Sequence, residues 1–222
     1  MPDKIAVLGT GRSGTKFFAA VLSELGKDVK HEAMGADGIA SWCLVADVKD
    51  AIYGPGGASL TDDFAIGHQL RNPLKTIGSL TTFNKSSWRY ISENSLELPS
   101  VIMHRAMVHW LDWNQRAVDI SAHNWKLEDL EYRQPEILKS IGWEVSDAEW
   151  KEAYKRAKHG ANSGSSRASN AFFNPKVGLI TQWRRVVYNN RKHPVTWDEL
   201  GKIDAGLTRE IQDFAHSFGY EI

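Results

Sequence analysis

The apolar positions near the start of the chain change from strand-like to helix-like spacing. Residues 5–8 form a short apolar run typical of a strand buried on both faces, and the glycine-rich stretch 9–14 ends it. The apolar residues of 17–25 then repeat with helical spacing, and Gly26 is the predicted C-cap. Strand, glycine loop and helix in this order are typical of the start of a βαβ unit.

The remainder of the chain continues this alternation. We predict strands at 28–31, 64–70 and 120–127, and loops at 53–57 and 162–169. Apolar spacing predicts helices at 38–45, 74–80, 101–118, 135–141, 147–158 and 197–218. The absence of an internal repeat or long linker favours one α/β domain over residues 1–222, with a mainly parallel central sheet flanked by helices. The pattern leaves the strand order open.

Composition limits the class of protein. Of the 222 residues, 42% are hydrophobic and 24% are charged, which is typical of a folded globular chain. No stretch approaches the roughly 18 consecutive apolar residues of a membrane helix, so we expect no membrane partner. Lys plus Arg and Asp plus Glu both number 27, and this zero net charge argues against a nucleic-acid partner, which depends on neutralising many phosphates.

The cysteine content bears on location. Cys43 is the only cysteine, so an intrachain disulfide is impossible. The N-terminal residues lead straight into the first strand and lack the apolar core and cleavage site of a signal peptide. Both observations favour a reducing, cytoplasmic location. The oligomeric state stays open.

The glycine loop at 9–16, GTGRSGTK, is the first candidate site. Between a strand and a helix, backbone N–H groups and the helix dipole converge on an anion, and glycines let a phosphate approach the backbone. Gly9 and Gly14 have Walker A spacing, but Thr15 and Lys16 reverse the Lys-then-Ser/Thr order that binds Mg-ATP. The loop therefore predicts an anion site that is not an ordinary ATPase site. The candidate contacts are Gly11, Arg12, Ser13, Gly14, Thr15 and Lys16.

A second anion motif follows the strand predicted at 64–70. Arg71 and Asn72-Pro73 stand at the strand end, and Ser79 lies eight residues after Arg71. Arginine presents a forked donor suited to phosphate oxygens, and the Ser79 hydroxyl adds a neutral donor. An ordinary strand-to-helix corner with a surface arginine is the alternative interpretation.

Together the two motifs resemble the PAPS-dependent sulfotransferases, which transfer a sulfuryl group from 3′-phosphoadenosine 5′-phosphosulfate (PAPS). Residues 12–15 (RSGT) are similar to that family's 5′-phosphosulfate loop, and Arg71 with Ser79 to its 3′-phosphate motif. More weakly, residues 125–130 (WKLEDL) resemble the family's strand-end signature, and residues 110–114 and 196–220 resemble bacterial-type members. Cytosolic members often have lysine where this chain has Arg12, and several carbohydrate-type members also have arginine. The resemblance implies a three-layer P-loop-type fold, PAPS as cofactor, no metal and in-line transfer.

The family's C-terminal cofactor loop has no clean match. Residues 151–193 nevertheless contain ten Lys/Arg and one acid, Glu152, a net charge of +9. This block predicts either a solvated face or a local anion site. The basic residues that would replace the missing cofactor contacts, or attract an anionic acceptor, are Arg167, Arg184, Arg185, Arg191 and Lys192.

The resemblance also implies a general base directly after the second strand, where His31 and Glu32 stand. We prefer Glu32, because a carboxylate in a partly buried cleft is suited to take the proton of an acceptor hydroxyl, and His31 is the alternative. A polar pair without a catalytic role is a third interpretation. Arg12 would offset the charge that develops on the leaving phosphate.

The acceptor is predicted only by class, as a hydroxyl (or amine) of a small molecule or carbohydrate. Tryptophans are typical core residues, but some of them are candidates for an acceptor-stacking wall: Trp42, Trp88, Trp110, Trp113, Trp125 and Trp183. Two other functions stay open. One is a P-loop small-molecule kinase that uses Mg-ATP, and the other is a non-catalytic nucleotide-binding protein of the same fold.

Overall fold

The computed structural model describes residues 2–46, 63–94, 97–167 and 195–222, with the backbone alone for 161–167. Several predictions lie outside these residues. They are the loop at 53–57, the residues Trp183, Arg184, Arg185, Arg191 and Lys192, and the side chain of Arg167.

A five-stranded parallel sheet forms the centre of the described structure, in the order β2-β3-β1-β4-β5. The strands are β1 (Lys4–Leu8), β2 (Val29–His31), β3 (Gly38–Ala40), β4 (Phe64–Leu70) and β5 (His123–Lys126). The helices are α1 (Thr15–Glu24), α2 (Pro73–Leu80), α3 (Lys85–Asn94), α4 (Ile102–Ile120), α5 (Ile137–Ser140), α6 (Asp147–Arg167), α7 (Trp197–Ile203) and α8 (Ala205–Ser217).

Helices cover both faces of the sheet. On one face, Ile5 and Val7 of β1 pack in a core with Phe18 of α1 and Trp150 of α6. On the other, alternate β1 residues pack in a second core with α2, α4 and α8. The apolar run of β1 is continuous because both of its faces are buried. The structure thus confirms the α/β class with three layers and a parallel sheet.

The segment predicted as a helix at 38–45 is instead the strand β3 followed by a 3₁₀ turn at Cys43–Val45. A short apolar run does not by itself distinguish a buried strand from a helix. Here Gly38 decides the outcome, because its φ is +139° and a Cβ at this position would lie 2.0 Å from the Ile5 carbonyl oxygen. The close approach lets β3 pair with β1 and β2 on either side.

Three further boundaries differ from the prediction. The helix predicted at 197–218 is broken at Asp204, whose extended backbone and side chain cap a new helix through the Leu207 N–H. The strand predicted at 120–127 begins only at His123, because α4 continues to Ile120. Helix α6 continues through 162–167, where a Gly/Ser-rich loop was predicted, since propensity is a weak guide beside an established helix.

Helix α3 was not predicted. Its polar composition has little apolar spacing, and it is held through the buried side chains of Trp88 and Ile91. Within the described ranges, no helix combines the length and the apolar character needed to cross a membrane.

Two histidines are buried in the fold, one in the sheet and one in α4. His68 of β4 is hydrogen-bonded to the side chains of Asn114 (2.9 Å) and Asn124 (3.0 Å) and so connects α4 to β5. Burial lowers its pKa to about 4, although both hydrogen bonds oppose the shift. His109 of α4 lies among aromatic rings, and burial, assisted by the charge of Arg116, lowers its pKa to about 3. Both rings are therefore neutral in the fold at pH 7.

These histidines predict a loss of stability in mild acid. Their folded pKa values lie below the ordinary value of 6.5, so the unfolded chain binds more protons, and stability present above pH 6.5 is lost as the pH falls towards 4. Each ring contributes a slope of roughly 1 kcal/mol per pH unit. Urea unfolding at pH 7, 6 and 5 measures it. His109→Phe should make the slope shallower, whereas the exposed-site control His159→Gln should not.

Candidate anion-binding pocket

A pocket of about 820 Å³ opens at the carboxyl ends of β1, β2 and β4. This is the edge of a parallel sheet where ligands of open α/β folds bind, beside the helix that follows β1. The pocket brings together most of the predicted site residues from four separate elements. It is lined by Arg12, Gly14, Thr15, Lys16, Phe17, Ala20, Glu24, His31, Glu32, Trp42, Arg71, Ser79, Phe83, Arg156, Ala157 and Gly160.

The glycine loop forms the floor of the pocket. Arg12 and Gly14 both have positive φ, +69° and +95°, and Gly14 is the left-handed N-cap of α1. A Cβ on Gly14 would lie 2.8 Å from the Leu127 side chain, so glycine is required there for space as well as for conformation. Helix α1 then begins with first-turn N–H groups that have no partner inside the helix, and an anion is suited to accept them.

The end of β4 holds this loop through two side chains. Gln69 Nε2 donates to the Ser13 carbonyl and Arg71 Nη1 donates to the Arg12 carbonyl, each at 3.0 Å. Trp125 Nε1 in turn donates to Gln69 Oε1 at 3.2 Å. Because a trans peptide points its N–H opposite to its C=O, the bond to Ser13 turns the Gly14 N–H away from β4.

Two predicted loop residues lie behind the pocket wall. Ser13 is fully buried, and its hydroxyl has no hydrogen-bond partner among the described residues; it lies so close to Gly9 that a Cβ there would be 2.4 Å from Ser13 Oγ. Gly11 lies against Phe83, where a Cβ would be 2.3 Å from the ring. Neither residue is part of the pocket lining. Their roles in cofactor binding stay predictions.

The side chain of Arg12 lies beside Phe83 and Thr82, which follow α2. Its guanidinium lies over the Phe83 ring, 5.0 Å from the centroid, and its Nη2 is 3.5 Å from Thr82 Oγ1. The cation–π contact holds the charge at the pocket surface without neutralising it. Lys16, the second residue of α1, adds a second cation to the lining.

The second motif forms the corner between β4 and α2. Asn72 caps α2 by accepting from the Lys75 N–H at 3.1 Å, and Pro73 occupies the first turn. Arg71 and Ser79 both line the pocket from this corner. The structure therefore places the two predicted anchor residues beside the glycine loop.

Glu128 holds the corner at Asn72 through two hydrogen bonds, and the sequence did not predict this role. One carboxylate oxygen accepts from the Asn72 N–H at 3.1 Å and the other from the Tyr220 hydroxyl at 3.0 Å. Burial and the adjacent Glu128 charge raise the pKa of Tyr220, so the phenol remains a donor. Glu128 belongs to the WKLEDL segment, for which the sequence offered a family resemblance and no structural role.

Glu32 and His31 line the same pocket. Glu32 has a positive φ of +54°, a conformation that costs a residue with a side chain about 1–2 kcal/mol. His31 Nε2 is 3.7 Å from Glu32 Oε1. Burial lowers the pKa of His31; the Glu32 charge opposes this shift and the Lys16 charge adds to it. His31 is therefore predominantly neutral at pH 7.

The candidate tryptophans separate into pocket and core residues. Trp42 alone of the described candidates lines the pocket, where its indole N–H donates to Glu32 Oε1 at 2.6 Å. The others that the structure describes are packed in the cores or, for Trp125, bonded to Gln69.

The charges of the lining residues favour one kind of ligand. Arg156 of α6 belongs to the basic block, but it is paired with Glu24 at 2.9 Å. Arg12, Lys16 and Arg71 form no ion pair with a carboxylate of the described ranges, and Glu32 lines the same pocket. A concave site with several uncompensated cations favours a polyanion. The residues that the structure describes contain no group of three or more His, Cys, Asp or Glu arranged to bind a metal.

Comparison with known proteins adds one structural likeness. The sequence matches no protein-family model, and no curated protein matches it. The crystal structure of mouse sulfotransferase SULT7A1 complexed with PAP aligns with 97% of this chain and 89% of that chain, with 14% sequence identity and a TM-score of 0.41. A superposition this loose transfers nothing from that protein to this one.

The Gln69 contact predicts a specific local effect. Gln69→Ala leaves the Ser13 carbonyl and the Trp125 N–H without their partner, and it should lower the free energy of unfolding by about 1–3 kcal/mol. Amide hydrogen exchange at residues 10–16 should accelerate more than exchange in β1. Gln115→Ala, on the exposed surface of α4, is the control and should change neither measurement. Unchanged exchange at 10–16 would contradict the role given to Gln69.

Proposed function

We propose that the chain is a PAPS-dependent sulfotransferase that moves a sulfuryl group to a hydroxyl (or amine) of a small-molecule or carbohydrate acceptor. The observation that supports this proposal is the convergence of Arg12, Lys16 and Arg71 on one pocket, with the carboxylate of Glu32 on its wall. PAPS has anionic groups at its 5′ and 3′ positions, and the pocket offers two separate sets of donors for them.

The residues present suit this cosubstrate. The α1 N-terminus, Arg12 and Lys16 would bind the 5′-phosphosulfate, and Arg71 with Ser79 the 3′-phosphate. The volume of about 820 Å³ lies in the range of small-molecule pockets. The only cysteine, Cys43, fits a cytoplasmic setting as part of the same proposal.

The reaction needs a base that takes the proton of the acceptor and donors that stabilise the charge on the leaving phosphate. In the proposed step the acceptor oxygen forms a bond to sulfur as the bond from sulfur to the phosphate oxygen breaks. Glu32 takes the acceptor's proton, and Arg12 with the loop N–H groups stabilises the charge on the departing 5′-phosphate. Adenosine 3′,5′-bisphosphate is the second product. His31, as a neutral ring beside Glu32, is the alternative proton acceptor.

Arg71 should determine recognition of the 3′-phosphate. Arg71→Ala should weaken the binding of adenosine 3′,5′-bisphosphate about 10- to 100-fold, because a charge-assisted hydrogen bond contributes roughly 1.5–3 kcal/mol. Its effect on adenosine 5′-phosphate should be much smaller. Isothermal titration calorimetry with both nucleotides measures the difference. Lys75→Ala removes an exposed cation four residues away, outside the pocket lining, and is the matched control.

Loss of affinity for both nucleotides to the same degree would show that Arg71 acts through the loop alone, since it also donates to the Arg12 carbonyl. Equal binding by Arg71→Ala and the unmodified protein would contradict the second anchor. Magnesium-dependent ATP turnover would support the kinase instead. Bisphosphate binding without transfer to any member of a broad acceptor panel would support the non-catalytic alternative.

Glu32→Gln should remove the base while keeping its size. We expect kcat for sulfuryl transfer from PAPS to fall about 10²- to 10⁴-fold, the usual range for general-base catalysis, with bisphosphate affinity nearly unchanged. His31→Asn is the paired variant, and its kcat should fall much less. A larger loss in His31→Asn than in Glu32→Gln would assign the base to His31.

A further inference from the structure

The position of the Glu32 carboxylate depends on a neighbour outside its own strand. Glu32 follows β2 at the sheet edge, and its N–H donates to the Ala40 carbonyl at 3.1 Å. Its left-handed backbone changes the direction in which the side chain leaves the strand end. The Glu32 side chain is nearly half exposed, at 44%, so packing alone does not fix the orientation of its carboxylate.

Trp42 supplies the missing constraint. Its indole Nε1 donates to Glu32 Oε1 at 2.6 Å, and His31 Nε2 lies 3.7 Å from the same oxygen. For the second oxygen, Oε2, the described part of the chain provides no hydrogen-bond partner. One oxygen is therefore bound to the protein, and the other is available in a pocket that both residues line.

The indole of Trp42 is packed among other aromatic rings. Its ring centroid is 5.5 Å from those of Phe83, Tyr90 and Trp113, and the Tyr90 contact is edge-to-face. Phe83 also carries the guanidinium of Arg12 on its ring. A single aromatic cluster thus positions the candidate base and the candidate stabiliser of the leaving group.

We propose that Trp42 is a positioning residue, whose indole N–H fixes one carboxylate oxygen of Glu32 so that the other faces the acceptor hydroxyl. This inference rests on the proposed transferase function. Trp42 does not need to touch either reactant, because it acts through the orientation of Glu32. A small displacement of a catalytic group lowers the rate much more than it lowers substrate affinity.

Trp42→Phe tests the N–H while keeping an aromatic ring in the cluster. We expect kcat to fall about 10- to 100-fold, with KM for PAPS and affinity for adenosine 3′,5′-bisphosphate within about twofold of the unmodified protein. The matched control is Trp88→Phe. Trp88 packs against Phe83 and His109 in the same cluster, but its indole nitrogen has no hydrogen-bond partner among the described residues. Its kcat should remain within about twofold.

A spectroscopic measurement separates the contact from the catalysis. The indole N–H resonance of Trp42, assigned by its loss in Trp42→Phe, should move upfield in Glu32→Ala and much less in His31→Asn. An unmoved resonance, or a Trp42→Phe protein with unchanged kcat, would overturn the positioning role. Absence of transfer by the unmodified protein, with the resonance still moving, would overturn the proposed function and leave the indole–carboxylate contact established.

Discussion

Two hydrogen bonds from the end of β4 hold the glycine loop in its observed shape. Gln69 and Arg71 donate to successive loop carbonyls, Ser13 and Arg12, across a separation of more than fifty positions in the sequence. Without them, a loop rich in glycine would have little to select one backbone conformation among many. The orientation of the N–H groups at the α1 N-terminus therefore depends on the register between β4 and β1.

Arg71 both contacts the glycine loop and lines the pocket. One nitrogen fastens the loop, and its remaining N–H groups are available to the pocket. Glu128 and Tyr220 hold the adjoining corner, so the guanidinium begins from a fixed backbone position. The two proposed phosphate sites are thus parts of one connected structure, in which an arginine belongs to both.

The sequence predicted the roles that depend on local motifs, and it did not predict the roles that depend on contacts between distant elements. The loop and the Arg71–Ser79 motif could be predicted because each depends on spacing within a few residues of a strand end. Gln69, Glu128 and Trp42 act through hydrogen bonds to other elements, and neither the WKLEDL segment nor the candidacy of Trp42 as a pocket residue predicted those bonds. Strand β3 was wrongly predicted as a helix because three buried residues carry no periodicity, and Trp42 lies two residues beyond the end of that strand.

At Glu32, the backbone conformation and the presence of a side chain have opposite requirements. Its left-handed backbone is one that glycine adopts without penalty, so the fold alone would favour glycine there. A side chain at this position accepts a conformational penalty and is compensated in part by the bond from Trp42. Glycine at position 32 would relieve this conformational penalty, but it would also remove the acceptor of the Trp42 N–H and the carboxylate that lines the pocket.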